Sequence, residues 1–81
     1  MDDITLEDVI EVLEDVREDV DYEDEDALID DGIFDSFDIL SAISALNEEF
    51  DISIPAKEIV PDNFNSAEAL LALVQRLADE D

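Results

Sequence analysis

The 81-residue sequence predicts an all-α fold, a small bundle of three main helices plus one short helical turn. Three observations predict it. Apolar residues recur at steps of three and four in three separate stretches; hydrophobic residues make up 47% of the chain, enough for a core; and Gly32, Pro55 and Pro61 fall between the periodic stretches. The length suits one module, and residues 1–81 read as a single domain.

Thr5, three residues before Asp8, has the capping-box pattern of a helix start, and Leu6, Val9, Ile10, Leu13, Val16 and Val20 then mark an apolar stripe. Glu7, Asp8, Glu11, Glu14, Asp15, Glu18 and Asp19 fill the opposite face, where a solvated surface is their simplest role. From Asp21 to Asp31 the periodicity lapses into an acidic connection anchored by Tyr22, Leu28 and Ile29, and Gly32 ends it with a backbone angle other residues resist. Asp35 suits the N-cap of a second helix whose inner stripe is Ile39, Ala42, Ile43, Leu46 and Phe50. A second face of that helix, Phe37, Leu40, Ser41, Ser44, Asn47 and Glu48, has no evident intramolecular duty. After Phe50 an extended connector alternates Ile52 and Ile54 with Asp51 and Ser53. Ala56 to Val60 suit one helical turn closed by Pro61, and Phe64 is placed to plug the core. The last helix is expected to start at Asn65 or Ser66, with Glu68 completing the cap of Asn65, and to run through Ala67, Leu70, Leu71, Val74 and Leu77.

Charge sets the partners. Against 27 Asp and Glu there are 3 Lys and Arg, a formal net charge of −24, so nucleic acid and anionic membranes are repelled and basic protein patches attracted. The same repulsion between copies predicts a monomer. Met1 to Ile10 carries no basic region followed by an apolar run, and no apolar stretch approaches a membrane span of roughly 20 residues, so a cytoplasmic location is expected.

No Cys and no His leave the chain without thiolate or imidazole metal ligands and without the usual general base, so it is not expected to be an enzyme and no catalytic residue is assigned. The acidic connection does not fit a calcium loop either: with Gly32 at the sixth position, Ala27 and Ile29 fall at the first and third, where oxygen ligands belong. No metal site is assigned. Ser36 is the informative residue. It has no base to activate it, and it suits the start of a helix; alternatively another enzyme acts on it, since a phosphate esterified there would meet the positive end of the helix dipole, although Asp35 and Asp38 oppose it.

Gly32 to Phe50, GIFDSFDILSAISALNEEF, resembles the region around the modification site of acyl carrier proteins, including the D-alanyl carriers, where a G-x-x-D-S-[LF] signature opens the second helix. The stretch Phe50-Asp51-Ile52-Ser53-Ile54-Pro55 is similar to the family's exit from that helix, and the layout agrees over nearly the whole chain. The resemblance implies an acyl-carrier-like bundle carrying covalent 4'-phosphopantetheine on Ser36, taken from coenzyme A by a phosphopantetheinyl transferase. The arm's thiol would shuttle acyl or aminoacyl groups between biosynthetic enzymes. It further implies that Asp35, Phe37, Asp38, Leu40, Ser41 and Glu48 meet basic docking patches on acyl-activating and acyl-transferring enzymes. Ser41 and Asn47 stand where fatty-acid carriers often have Glu, and Phe37 stands where Leu is commoner, as in D-alanyl carriers. Peptidyl carriers usually show Gly and His ahead of the serine, so Ile33-Phe34-Asp35 favours the acyl or D-alanyl branches. The rival reading is an acidic nucleic-acid mimic or binding module that occupies basic sites on a partner, for which net charge is the support.

Repulsion among so many carboxylates destabilises the compact state wherever it is poorly screened. Urea unfolding in dilute buffer and in molar KCl therefore gives a higher midpoint in KCl; equal midpoints would show that the repulsion does not limit stability.

Overall fold

Thr5 begins the first helix by the mechanism its spacing offers. In the computed structural model, which describes residues 4–80, its hydroxyl accepts from the Asp8 N–H at 3.3 Å and the Asp8 carboxylate accepts from the Thr5 N–H at 3.1 Å. This reciprocal box satisfies two donors that have no partner within the helix. Helix α1 spans Leu6–Val16. Val20, included in the predicted stripe, lies beyond its end, because Arg17 turns to extended backbone (φ −153°, ψ 107°). Tyr22 stabilises the stop. Its hydroxyl lies 3.0 Å from the Leu13 carbonyl and 2.6 Å from that of Arg17, covering acceptors a helix end leaves open.

The connection to the second helix is irregular but well anchored. Tyr22 and Leu28 are buried and Ile29 half-buried, as the sequence suggests, and Phe34 is buried with them. Tyr22 and Phe34 meet edge to face, with ring centroids 6.2 Å apart and planes at 88°. Gly32 adopts φ +74°; an added Cβ would meet nothing within 4 Å, so the backbone angle and not space requires glycine there.

Helix α2 spans Ser36–Phe50. Ala42 and Leu46 are fully buried, while Ile39, Ile43 and Phe50 are half-buried beside the core. The helix ends on Asp51 in the left-handed region (φ 54°), with the Ile52 N–H returning to the Asn47 carbonyl at 3.2 Å. Asn47 does have an internal duty: its side-chain oxygen accepts from the Ile54 N–H at 3.1 Å, turning the connector inward so that Ile52 and Ile54 are both buried.

A 3-10 turn at Ala56–Glu58 is shorter than the turn expected to reach Val60, and Pro61 opens a helix where the sequence suggested it would close one. Proline suits a first helical position, where its missing N–H leaves nothing unbonded. That helix, α3, spans Pro61–Phe64, and Phe64 fills the core at 1% exposure. Helix α4 spans Ala67–Glu80. Its cap is Ser66, one of the two expected starts, whose hydroxyl accepts from the Ala69 N–H at 3.0 Å; the expected pairing of Asn65 with Glu68 is not what caps it. Asn65 instead fastens the long connection: its side-chain oxygen accepts from the Ile29 and Asp30 N–H groups at 2.9 and 3.1 Å, and its carbonyl accepts from the Leu28 N–H at 2.8 Å.

Helix α1 packs on both α2 and α4, and α3 on α4. This arrangement decides which flank of each stripe goes inside. Val12 and Leu73 are buried although the predicted stripes omit them, while Ile10 and Leu71 are half-buried. The core is otherwise the expected one, centred on Val9, Leu13, Leu28, Leu46, Phe64, Leu70 and Val74.

Leu46→Ala is expected to cost about 2 to 5 kcal/mol in urea unfolding, and Ile43→Ala less, because Ile43 keeps part of its surface in water. Burial, aided by repulsion from Asp19, pushes the Tyr22 phenol up to about 12 from 10.0. Its raised pKa is a stability contribution present below pH 10 and lost as pH rises through about 12. Tyr22→Phe should cost about 1 kcal/mol at pH 7 and lack this alkaline loss of stability in a pH series.

Candidate functional site

The head of α2 is built by two carboxylates. Asp35, in extended backbone (φ −93°, ψ −176°), accepts through Oδ1 from the Asp38 N–H at 2.9 Å, and Asp38 accepts through Oδ2 from the Asp35 N–H at 3.3 Å. Both acids also lie where the positive end of the helix dipole favours them. The cap is thus complete without Ser36, which occupies the first helical position and is exposed. Among the described residues its hydroxyl has no hydrogen-bond partner.

Asp38 carries a second partner. Arg17, just past the end of α1, places Nη1 3.0 Å from Asp38 Oδ2 and Nε 3.4 Å from Asp19 Oδ1. The Asp38 side chain keeps only 15% of its exposure, so of the two capping acids Asp35 is the one presented to solvent.

Phe37 is 76% and Leu40 64% exposed, large values for apolar side chains one and four residues past Ser36. Ser44 and Glu48 continue the outward face, and Ser41 at its margin is half-buried. Phe37, Leu40, Ser41, Ser44 and Glu48 fall within about a third of the helix circumference. The structure therefore brings Ser36, Asp35, Phe37, Leu40 and Glu48 onto one accessible side of the bundle, and turns Asp38 toward Arg17.

Two further apolar residues adjoin this side. Ile59 and Val60, between the 3-10 turn and α3, are 37% and 42% exposed. With Ile29, Ile39, Pro61 and Phe64 they line an apolar crevice of about 120 Å³ that reaches α2 at Ile39, one turn on from Ser36. Both were expected within a helical turn, and instead follow one that ends at Glu58. The available signal was a pair of β-branched residues immediately before a proline, where extended backbone is favoured.

Among the described residues no group of acids, His or Cys is arranged to hold a metal ion, and no helix is long and apolar enough to cross a membrane. The acidic face of α1 is solvated, as its spacing implies.

No family model matches the chain, and no solved structure does. Curated relatives do. The chain is 36% identical over 76 residues to the D-alanyl carrier protein of Lactococcus lactis subsp. cremoris, an alignment covering 90% of this chain and 91% of the relative. It is 34% identical over 68 residues to the D-alanyl carrier protein of Lactobacillus delbrueckii subsp. bulgaricus, covering 84% and 80%. Agreement of this extent spans the capped serine, the helix that follows it and the bundle that supports them: the chain belongs to the acyl carrier protein family, on its D-alanyl carrier branch.

Proposed function

We propose that the chain is a non-catalytic carrier that takes 4'-phosphopantetheine on Ser36 and shuttles an aminoacyl group, D-alanyl by analogy with its relatives, between cytoplasmic enzymes. The observation that carries this reading is an exposed serine at the head of a helix whose capping is already done by its neighbours.

The residues present fit the group. The first N–H groups of a helix have no internal acceptor and lie at the positive end of its dipole, which suits a phosphodiester. In the modification, Ser36 Oγ bonds to the phosphorus on the pantetheine side of coenzyme A. The bond from that phosphorus to the oxygen of the nucleotide portion breaks, and the nucleotide leaves with the electron pair. The serine proton passes to a base that the transferase must supply, since this chain has no His. When attached, the arm supplies a thiol that a chain without Cys lacks, and holds cargo there as a thioester. Exposed Phe37 and Leu40 offer a small apolar anchor, Asp35 and Glu48 the charges that steer a basic enzyme surface, and Ser41 the edge of that contact. Asp38 contributes through the fields of the cap and the ion pair more than by direct contact, being largely covered. Attraction of this kind speeds encounter and leaves release easy, as a shuttle requires. The crevice beside Ile39 is small, which favours a small cargo over a long acyl chain. The rival reading, a nucleic-acid mimic, rests on charge alone.

Incubation with coenzyme A, magnesium and a broad-specificity phosphopantetheinyl transferase is expected to add one phosphopantetheine to the intact mass of the wild type and none to Ser36→Ala. Adding D-alanine, ATP and a D-alanine-activating ligase should then add one D-alanyl mass to the modified protein. Phe37→Ala should keep the helical circular-dichroism spectrum and slow both reactions. An unchanged wild-type mass with several transferases would defeat the proposal.

A further inference from the structure

We propose that Arg17 is a positioning residue for modification of Ser36, an inference that rests on the reading of Ser36 given above. Arg17 is one of three cations in the chain. Its guanidinium meets the same Asp38 oxygen, Oδ2, that closes the capping box on the Asp35 N–H, at 3.0 and 3.3 Å. Its carbonyl accepts from the Tyr22 hydroxyl at 2.6 Å, and the Tyr22 ring meets Phe34, two residues before Ser36, edge to face. One residue at the end of α1 thereby reaches both flanks of the serine. Its side chain holds Asp38 after it, and its backbone, through Tyr22, braces Phe34 before it.

An exposed ion pair contributes little to global stability, and Arg17 keeps 41% of its side-chain exposure. Its effect is geometric. Attack of Ser36 Oγ on phosphorus depends on where the first turn of α2 stands when the bundle is docked, and a displacement of about an ångström can cost a hundredfold in rate. Electrostatic steering works in the opposite direction: Arg17 carries the same sign as a basic partner surface, so removing it strengthens attraction. Positioning and steering therefore separate in kinetics. Removal of Arg17 should lower kcat while KM stays the same or falls, a split that simple loss of folded protein does not produce.

The experiment measures transfer from coenzyme A to the full chain by a phosphopantetheinyl transferase, at physiological ionic strength, with helical content checked for each variant. Wild type is compared with Arg17→Ala, Arg17→Lys, Asp38→Asn and a double variant that combines Arg17→Ala with Asp38→Asn. Asp38→Asn keeps an acceptor for the Asp35 N–H while removing the charge that Arg17 holds, so it tests the pair even if Arg17→Ala fails to fold. Arg17→Ala and Asp38→Asn are each expected to lower kcat about tenfold, Arg17→Lys to recover most of the loss, and the double variant to lose no more than either single one. The proposal is overturned by a wild-type kcat in folded Arg17→Ala, by a loss confined to KM, by additive losses in the double variant, or by unfolding of both single variants, which would make the pair a requirement of the fold. A wild type that takes no arm removes the reading of Ser36 and this role with it, whereas a modified wild type with insensitive variants removes this role alone.

Discussion

Asp35 and Asp38 each accept the other's N–H at the head of α2, and the presentation of the serine between them follows from that exchange. A helix start needs side-chain acceptors, and serine is among the residues best suited to supply one. Here two carboxylates supply them, so the serine hydroxyl stays available to an outside reagent without cost to the helix. The same pair brings negative charge to the dipole's positive end, where it is favourable, and leaves Asp35 exposed.

Most of the remaining side-chain polar contacts fasten irregular segments to helices. Two of the three cations serve this purpose. Arg17 joins the end of α1 to the head of α2, and Arg76 of α4 grips the 3-10 turn through Glu58 with two hydrogen bonds of 2.8 and 3.0 Å. Asn63 adds a bond to the same carboxylate at 3.2 Å. Hydrogen bonding from Arg76 holds the Glu58 carboxyl below its usual range, so this fastening is present at neutral pH and lost as pH falls through the depressed value. Asn65 and Asn47 complete the set without charge, one holding the long connection and the other the exit of α2. In a chain so rich in carboxylates, neutral amides bind backbone donors without adding to the repulsion.

Apolar burial has to overcome that repulsion, and it does so from all sides of the bundle. Loop residues Tyr22, Leu28, Phe34, Ile52 and Ile54 are buried along with those of the helices. No side-chain nitrogen or oxygen buried among the described residues lacks a partner, so the core gives up little of its gain to unsatisfied polar groups. Most of the acids stay outside, where water screens them, while Asp38 and Glu58 are largely covered and paired with arginines; the large apolar side chains left exposed are Phe37, Leu40, Ile59 and Val60.

Three helices, their first caps at Thr5 and Asp35 and the special angle at Gly32 were all legible in the sequence, because each depends on residues within one turn of one another. Contacts between distant segments decided the rest. Of the two expected starts of α4, Ser66 became the cap, while the Asn65 side chain holds the backbone of Ile29 and Asp30, far off in sequence, and its carbonyl that of Leu28. Val12 and Leu73 went inside, with Ile10 and Leu71 only half covered, because the position of a neighbouring helix and not the period of the stripe selects the flank. Asp38 became half of an ion pair with Arg17 across 21 positions. Periodicity records how a segment is wetted on average; only the packed bundle determines which partner each polar atom finds.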